Sequence, residues 1–461
     1  MTAVFAVALS ALALAVARQI KLSIFNPAYI FIIFAVIFST PRLLTLQMFN
    51  FSSEILGSFT QSDINTGLTT YLLSIVVFFA LFSIIGAPIC LQRSPRSTAS
   101  PYKVSYAYRG GKLQKFGFFL LYVSSIIVMF VSFRSSTVSI VDTEDFLTGT
   151  RNLGIPAKIF SGLGLCYILT LSLEARQATT KQMYFFLVVL MYLASLLMLY
   201  RASQLLWVIV FVYIFYEILS ARAVHARKPS RNRITRARKA MRGNVGRYVL
   251  VVAVVAVFVA YKFLRTGISY GYIDLGSLNA RALNTEEILE TLRYFIVYKG
   301  AEFSIFDSSI ALQSRPPSID LQNHIFHSLY GAVFGFVPNF LLDYDYHPLG
   351  KTIKTLVVGG NSPGGIPVFG YTSLWLSNSP AMYIITVLVI SAPLWYFYRS
   401  AVLGKRRGLF YPYFLLSFIN FLRIGDLSVA YTQTMFLLFL PSLILYFSLT
   451  RYPICATEQP E

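Results

Sequence analysis

Residues 183–221 read MYFFLVVLMYLASLLMLYRASQLLWVIVFVYIFYEILSA, two apolar runs that are separated only by a short turn at Arg201. Each run is close to the roughly 20 residues that an α-helix needs to cross the hydrocarbon core of a bilayer. The segment that follows, Arg222 to Arg247, contains ten Lys or Arg residues and no acidic residue. Because loops rich in Lys and Arg stay on the cytoplasmic side, this stretch predicts two membrane-spanning helices, an outer turn at Arg201 and a basic cytoplasmic loop at 222–247.

The composition extends this interpretation to the whole chain. Of its 461 residues, 56% are hydrophobic and 13% are charged, about half the charged share of a soluble globular protein. A water-soluble fold is therefore excluded. We predict an all-α fold, a polytopic transmembrane helical bundle that forms a single integral membrane domain over 1–461. Apolar runs of spanning length predict eleven spans, at 2–17, 24–40, 70–91, 116–133, 154–173, 183–200, 202–221, 248–264, 380–398, 409–422 and 432–450.

The distribution of charge orients these spans. With the basic loop inside, the inner side carries 25 basic and 4 acidic residues, whereas the outer side and the outer helix ends carry 14 basic and 15 acidic residues. The net charge of +20 is then a topology signal, and we predict no nucleic-acid partner. The same arrangement predicts an N-terminus outside, with the first span retained in the protein, and a cytoplasmic C-terminus.

The longest stretch without a predicted span, residues 265–379, falls on the outer side. Its first part, Asn284-Thr285-Glu286-Glu287 ahead of apolar residues, is typical of a capped amphipathic helix. Its apolar middle, Ile325 to Leu342, is interrupted by Gly331, Gly335 and Pro338, which favours a re-entrant or interfacial helix, although an extra pair of crossings is also compatible with the pattern. We predict that this loop carries the active site.

Basic residues collect at the outer helix ends, while ionisable groups are nearly absent from the centres of the spans. Ion-coupled transporters place such groups at mid-membrane, so the pattern favours an enzyme that acts on a lipid head group. Arg201, Arg423 and the pair Lys262 and Arg265, which are spaced i and i+3, are candidate phosphate-binding groups, because a guanidinium donates hydrogen bonds in a planar fork. The alternative is that these side chains only anchor helix ends by snorkelling.

Two further groups of residues suggest binding chemistry. The glycine-rich stretch at Gly359–Gly365 lets backbone groups approach a sugar or a phosphate closely, so Gly360, Asn361 and Ser362 are candidate substrate-binding residues; an ordinary loop is the alternative. His324 and His327 have a spacing compatible with a shared metal, but no fitting third ligand accompanies them. We therefore predict no metal and no other cofactor.

Four short segments from Arg201 onward carry a resemblance to a known family. They are Tyr200-Arg201-Ala202-Ser203, Phe336-Val337-Pro338, Gly359-Gly360-Asn361-Ser362-Pro363 with the later Gly370, and Arg423-Ile424-Gly425-Asp426-Leu427. In these segments the chain resembles the Wzy-type oligosaccharide repeat-unit polymerases, which include the O-antigen and enterobacterial common antigen polymerases. One departure is that the Trp-Pro and basic residue that often follow the Phe-Ile-Pro segment of the family are replaced here by Asn339-Phe340-Leu341.

The resemblance implies a glycosyltransferase of the bacterial inner membrane, with its active site facing the periplasm. Its substrates would be undecaprenyl-diphosphate-linked oligosaccharides, and it would join repeat units into surface polysaccharide and release undecaprenyl diphosphate. Membrane lipids and a chain-length regulator of the polysaccharide co-polymerase type are the implied partners. An O-antigen ligase and a flippase or exporter of the lipid-linked unit remain alternatives.

The same resemblance suggests roles for single residues. Arg201, Arg265 and Arg423 would bind the diphosphate. Candidates for the general base that activates the acceptor hydroxyl are Glu302, Asp426, His324 and His327. Asp426 has a second possible role, in which it pairs with Arg423 and orients it.

Overall fold

The computed structural model describes residues 26–48, 55–91, 103–108, 111–135, 155–174, 179–199, 208–215, 303–315, 321–334, 350, 353, 367–377, 379–403 and 405–454. The predicted all-α class is confirmed for this part of the chain. The α-helices are α1 (Pro27–Met48), α2 (Gln61–Leu91), α3 (Gly111–Ser135), α4 (Ile155–Glu174), α5 (Thr179–Leu199), α6 (Phe303–Ser314), α7 (Leu321–Phe334), α8 (Gly370–Trp375), α9 (Pro380–Val402), α10 (Tyr411–Ile424), α11 (Leu427–Thr434) and α12 (Leu440–Ser448).

Shorter elements complete the described part. Residues 208–215 are also helical, and 3₁₀ turns lie at Leu56–Ser58 and Arg406–Phe410. A π-helical turn at Met435–Phe439 joins α11 to α12, so that the chain runs as one helix from Leu427 to Ser448. Two strands, β1 (Lys103–Tyr108) and β2 (Leu449–Ile454), form an antiparallel pair.

Four of these helices are long and apolar enough to cross a membrane, which supports a multi-pass arrangement. They are Gln61–Pro88, Gly111–Val131, Pro380–Val402 and Leu427–Ser448. Shorter apolar helices occupy Pro27–Thr40, Ile159–Ser172 and Met183–Leu196. The predicted spans 2–17 and 248–264 lie outside the described residues, as do parts of 202–221. The count of eleven spans therefore stays a prediction.

Helix α2 begins nine residues before the predicted start at position 70, because a local hydrogen-bonding motif extends it. The Thr60 hydroxyl oxygen accepts from the Asp63 amide at 3.2 Å, and the Asp63 carboxylate accepts from the Thr60 amide at 3.1 Å. This reciprocal pair is a capping box, which satisfies two amide groups that a helix start otherwise leaves unpaired. Helix α1 also extends past its predicted end at position 40, to Met48.

The buried side chains form two main clusters. The first joins α1, α2, α6, α8, α9 and α10, and its centre is a set of packed aromatic rings. In it Phe82 and Phe418 stack with ring centroids 5.1 Å apart and an angle of 5° between their planes, a favourable geometry for aromatic pairs. The second cluster joins α3, α4, α5, 208–215, α10 and α12 around Tyr192.

The strand pair defines one end of the bundle. Strand β1 lies between the end of α2 and the start of α3, β2 directly follows α12, and Tyr106 pairs with Arg451. We call this the strand end. The helix from Leu427 to Ser448 rises about 1.5 Å per residue, so Asp426, which precedes it, lies at the opposite end, which we call the Asp426 end. The predicted topology likewise puts Lys103 and Arg451 on one side; which side is cytoplasmic stays a prediction.

The stretch 265–379 contributes three helices at the Asp426 end. Helix α6 packs against α1 and the first turns of α2, α7 packs against α11, and α8 packs against α10. Helix α7 covers the start of the segment predicted to be interfacial or re-entrant, and it ends at Phe334. Helix α6 was not predicted, and it enters the first cluster through Phe306 and Ile310.

Candidate functional site

The turn between α10 and α11 contains Arg423, Ile424, Gly425 and Asp426, and its backbone shape depends on the glycine. Gly425 has φ of 70°, in the left-handed region, and its amide donates to the Phe421 carbonyl at 2.9 Å. A Cβ atom there would lie 2.6 Å from the Val368 carbonyl oxygen. Glycine is the residue that adopts this conformation without strain, so Gly425 sets the shape of this turn, which lies in the gap between the predicted spans 409–422 and 432–450.

Asp426 caps the helix that the turn begins. Its Oδ1 accepts from the Val429 amide at 3.0 Å, and the residue is 2% exposed. The first amide groups of a helix have no partner within the helix, and an Asp at this position is among the preferred caps. The Asp426 side chain thus serves as the N-cap of α11.

A serine of α7 completes the same cap from a distant part of the sequence. The Ser328 hydroxyl donates to Asp426 Oδ1 at 3.1 Å, and its oxygen accepts from the Leu427 amide at 2.7 Å and the Ser428 amide at 3.3 Å. Ser328 and Asp426 together satisfy three successive amides at the start of α11. Helix α7 is therefore attached to the turn by hydrogen bonds as well as by packing.

Helix α8 is attached to the turn by a second serine. The Ser373 hydroxyl lies 2.9 Å from the Gly425 carbonyl oxygen and 2.8 Å from the Gly370 carbonyl oxygen, and its single proton is shared between these two acceptors. Just before α8, the Phe369 amide donates to the Ser309 hydroxyl of α6 at 3.2 Å. Helices α7 and α8 thus both contact one turn of the last helix pair, and α6 is linked to it through the residue ahead of α8.

Four of the predicted site residues lie in this region. Arg423 is partly exposed in the last turn of α10, and Asp426 is buried beside it. On α7, His324 is partly exposed, and His327, which is exposed, directly precedes Ser328. The structure therefore brings the helix with both histidines to the arginine-containing turn, although the two segments are about 100 positions apart.

The remaining predicted site residues lie outside the described part of the chain. Their roles stay predictions. They are Arg201, Lys262, Arg265, Glu302, Gly360, Asn361 and Ser362.

A buried ion pair lies close to this region and was missed from the sequence. Arg42 of α1 donates to Asp307 of α6 through Nε at 2.9 Å and through Nη2 at 2.7 Å. The predicted pattern, with charge at the outer helix ends and almost none at the centres of the spans, did not include a buried ion pair. Arg42 lies beyond the predicted end of its span, and Asp307 lies in a helix that hydropathy does not reveal, so neither residue carried a signal of burial.

The same region contains a chain of buried hydroxyl groups. The Tyr71 hydroxyl lies 2.7 Å from the Ser39 hydroxyl and 2.7 Å from the Tyr371 hydroxyl. These residues come from α1, α2 and α8. Together with the ion pair, they form a hydrogen-bonded polar interior at the interface of α1, α2, α6 and α8. Buried polar groups need such partners because an unpaired polar group is costly in a low-dielectric environment.

The groups at the Asp426 end have distinct chemical capacities. A guanidinium can stabilise a phosphate leaving group, and an imidazole can accept a proton from a hydroxyl group. Nowhere in the described ranges do three His, Cys, Asp or Glu side chains group in a way that could hold a metal ion.

Comparisons with protein-family models, with curated proteins and with solved structures find no match to this chain.

Proposed function

We propose that this protein is a membrane glycosyltransferase that polymerises lipid-linked oligosaccharide repeat units. Its donor and acceptor are oligosaccharides attached to undecaprenyl diphosphate, and its product is a longer lipid-linked glycan that becomes surface polysaccharide. The proposal places it in the bacterial inner membrane with eleven spans, an outer N-terminus, a cytoplasmic C-terminus and the Asp426 end facing the periplasm. It works beside a chain-length regulator of the co-polymerase type.

One observation carries the proposal: a helix with two histidines is hydrogen-bonded to a turn that contains an arginine. Ser328 of α7 contacts Asp426 and the two amides that follow it. His327 precedes that serine, and Arg423 precedes Asp426 by three residues. A candidate proton acceptor and a candidate phosphate ligand are thereby held at the same end of the bundle.

The reaction assigns a task to each group. The acceptor hydroxyl oxygen forms a bond to the anomeric carbon of the donor glycan, and the bond from that carbon to the diphosphate oxygen breaks. The hydroxyl proton passes to an imidazole, for which His327 and His324 are the described candidates. Negative charge that develops on the departing diphosphate is stabilised by Arg423.

The remaining predicted residues complete this proposal. Arg201, Arg265 and Lys262 supply further positive charge to the diphosphate, and Gly360, Asn361 and Ser362 contact the glycan. Asp426, which is buried and already accepts two hydrogen bonds, holds the turn in place, and Glu302 remains a further candidate base.

The glycan of a deletion strain tests this function. Loss of a polymerase leaves single repeat units, either lipid-linked or capped, on the cell. Complete loss of the surface glycan would instead favour a ligase or a flippase. A purified protein that extends lipid-linked repeat units without a lipid A core acceptor would separate the polymerase from the ligase.

A further inference from the structure

The Ser328 hydroxyl makes three hydrogen bonds to a segment about 100 positions away in the sequence. It donates to Asp426 Oδ1 at 3.1 Å and accepts from the amides of Leu427 and Ser428 at 2.7 and 3.3 Å. The side chain is 4% exposed. We infer that Ser328 is a positioning residue, which fixes the histidines of α7 relative to Arg423. This inference rests on the proposed function.

The hydrogen-bond pattern makes the attachment cooperative. Leu427 and Ser428 are the first two residues of α11, and their amides have no acceptor within their own helix. A side chain just before the helix commonly accepts from such amides. Here the acceptor belongs to another helix, so any shift of α7 away from the turn breaks all three hydrogen bonds of Ser328 together and leaves buried donors without a partner.

Helix α7 carries its structural and its chemical roles on different residues. Ser328 and Ile325 are buried, whereas the neighbouring His327 is exposed. His324 lies one helical turn before Ser328, on the same face of the helix, and is partly exposed. Because α7 is a rigid helix, the hydrogen bonds of Ser328 determine where both imidazoles stand. Ser328 therefore acts through the histidines and does not contact substrate.

This division predicts a particular kinetic defect. Affinity for the lipid-linked donor depends on the cations that bind its diphosphate. Arg423 belongs to α10, and the turn after it keeps the bonds from the Gly425 amide to Phe421 and from the Val429 amide to Asp426 when Ser328 changes, so we expect Arg423 to stay in place. The rate of glycosyl transfer depends on the distance between the proton acceptor and the reacting hydroxyl, and a displacement of about 1 Å can cost on the order of 100-fold. Loss of the Ser328 hydroxyl should lower kcat and leave KM for the donor nearly unchanged.

The test compares purified variants with undecaprenyl-diphosphate-linked repeat units as substrate. We expect Ser328→Ala to lower kcat at least tenfold and to leave KM within about twofold of wild type. A decrease of this size in kcat is what a small displacement of the imidazoles would cause. Ser328→Thr keeps the hydroxyl and should retain at least half of the wild-type kcat. Ser442→Ala is the matched control, because Ser442 is also buried but its hydroxyl donates to the Leu438 carbonyl one turn earlier in the same continuous helix; it should match wild type.

The amount of folded protein separates positioning from stability. Rates are therefore normalised to the folded fraction, measured by size-exclusion chromatography in detergent. If Ser328→Ala does not fold, Ser328→Cys replaces it, since a thiol has a similar volume but is a weak donor and acceptor. A normalised kcat equal to wild type in the tested variant, or a Thr variant as slow as the Ala or Cys variant, would overturn the positioning role alone. Absence of polymer from the wild-type protein would overturn the proposed function, and the positioning role with it.

Discussion

Arg42 of α1 and Asp307 of α6 form a bidentate ion pair inside the bundle, with each side chain 1% exposed. They are 265 positions apart in the sequence. The pair connects the first described helix to the first described helix of the 265–379 stretch. Because Ser309 of the same helix accepts from the Phe369 amide ahead of α8, and α8 contacts the Arg423–Asp426 turn, the ion pair belongs to the set of contacts that positions the candidate site.

Removing one member of this pair should destabilise the protein strongly. Asp307→Ala leaves a buried guanidinium without its counter-charge, and such losses cost about 3 to 5 kcal/mol. The double variant Arg42→Met/Asp307→Leu removes both charges and should recover most of that loss, because a buried pair often contributes little more than apolar residues of similar volume. Denaturant unfolding in detergent, followed by tryptophan fluorescence, measures both.

An exposed ion pair provides the matched control for this prediction. Arg315 and Asp63 are 2.8 Å apart, with side chains 60% and 27% exposed. Solvent screens exposed pairs, which therefore contribute little to stability, so Arg315→Ala should cost much less than Asp307→Ala. Equal losses in Asp307→Ala and Arg315→Ala would contradict the importance of the buried pair.

Some features of this fold are encoded by residues that are close together in the sequence. Hydropathy predicts the long apolar helices, since a membrane span needs only a run of apolar residues, and the turn at Gly425 was visible as a break between two such runs. Helix α6 was missed because Asp307, Ser308 and Ser309 interrupt its apolar pattern.

The polar contacts that position the site have no local signature. Arg42 and Asp307 are satisfied by each other across 265 positions. The hydroxyl of Ser328 forms its hydrogen bonds with residues about 100 positions later, and no neighbouring residue in the sequence indicates those partners. Tertiary folding decides these pairings, so the sequence predicts the arginine turn and the histidines but not the serines that connect their segments.

Gly425 should tolerate no side chain. Gly425→Ala would place a Cβ atom 2.6 Å from the Val368 carbonyl oxygen at a φ of 70°, and we expect a loss of about 1 to 3 kcal/mol, typical of strained backbone. Thermal unfolding in detergent reports this loss.

Gly111 separates the effect of φ from the effect of crowding. Its φ is also positive, at 56°, but in the described part of the chain no atom outside its own chain neighbours and helix backbone lies within 4 Å of the position of an added Cβ. Gly111→Ala should therefore be the milder of the two changes. If Gly111→Ala proved as damaging as Gly425→Ala, contact with Val368 would not be the cause.

The two ends of the bundle should lie on opposite sides of the membrane. Arg315 lies at the Asp426 end, Lys405 precedes the 3₁₀ turn after α9, and both are exposed. In a background with Cys90, Cys166 and Cys455 replaced by Ala, a membrane-impermeant thiol reagent should label Arg315→Cys in intact cells. It should label Lys405→Cys only after the cells are permeabilised. Labelling of Lys405→Cys alone in intact cells would reverse the proposed orientation.

The most direct test of the proposed function concerns the guanidinium of Arg423. If Arg423 binds the departing diphosphate, Lys preserves the charge but loses the planar fork; if it only anchors a helix end, Lys serves equally well. Loss of one donor to a developing charge costs on the order of 100- to 1,000-fold in rate. At matched amounts of folded protein, Arg423→Lys should elongate purified lipid-linked repeat units at least tenfold more slowly than wild type. This lower limit is set below the full loss of about 100- to 1,000-fold because Lys keeps the positive charge. A wild-type rate in this variant would contradict the assignment of Arg423 to the diphosphate.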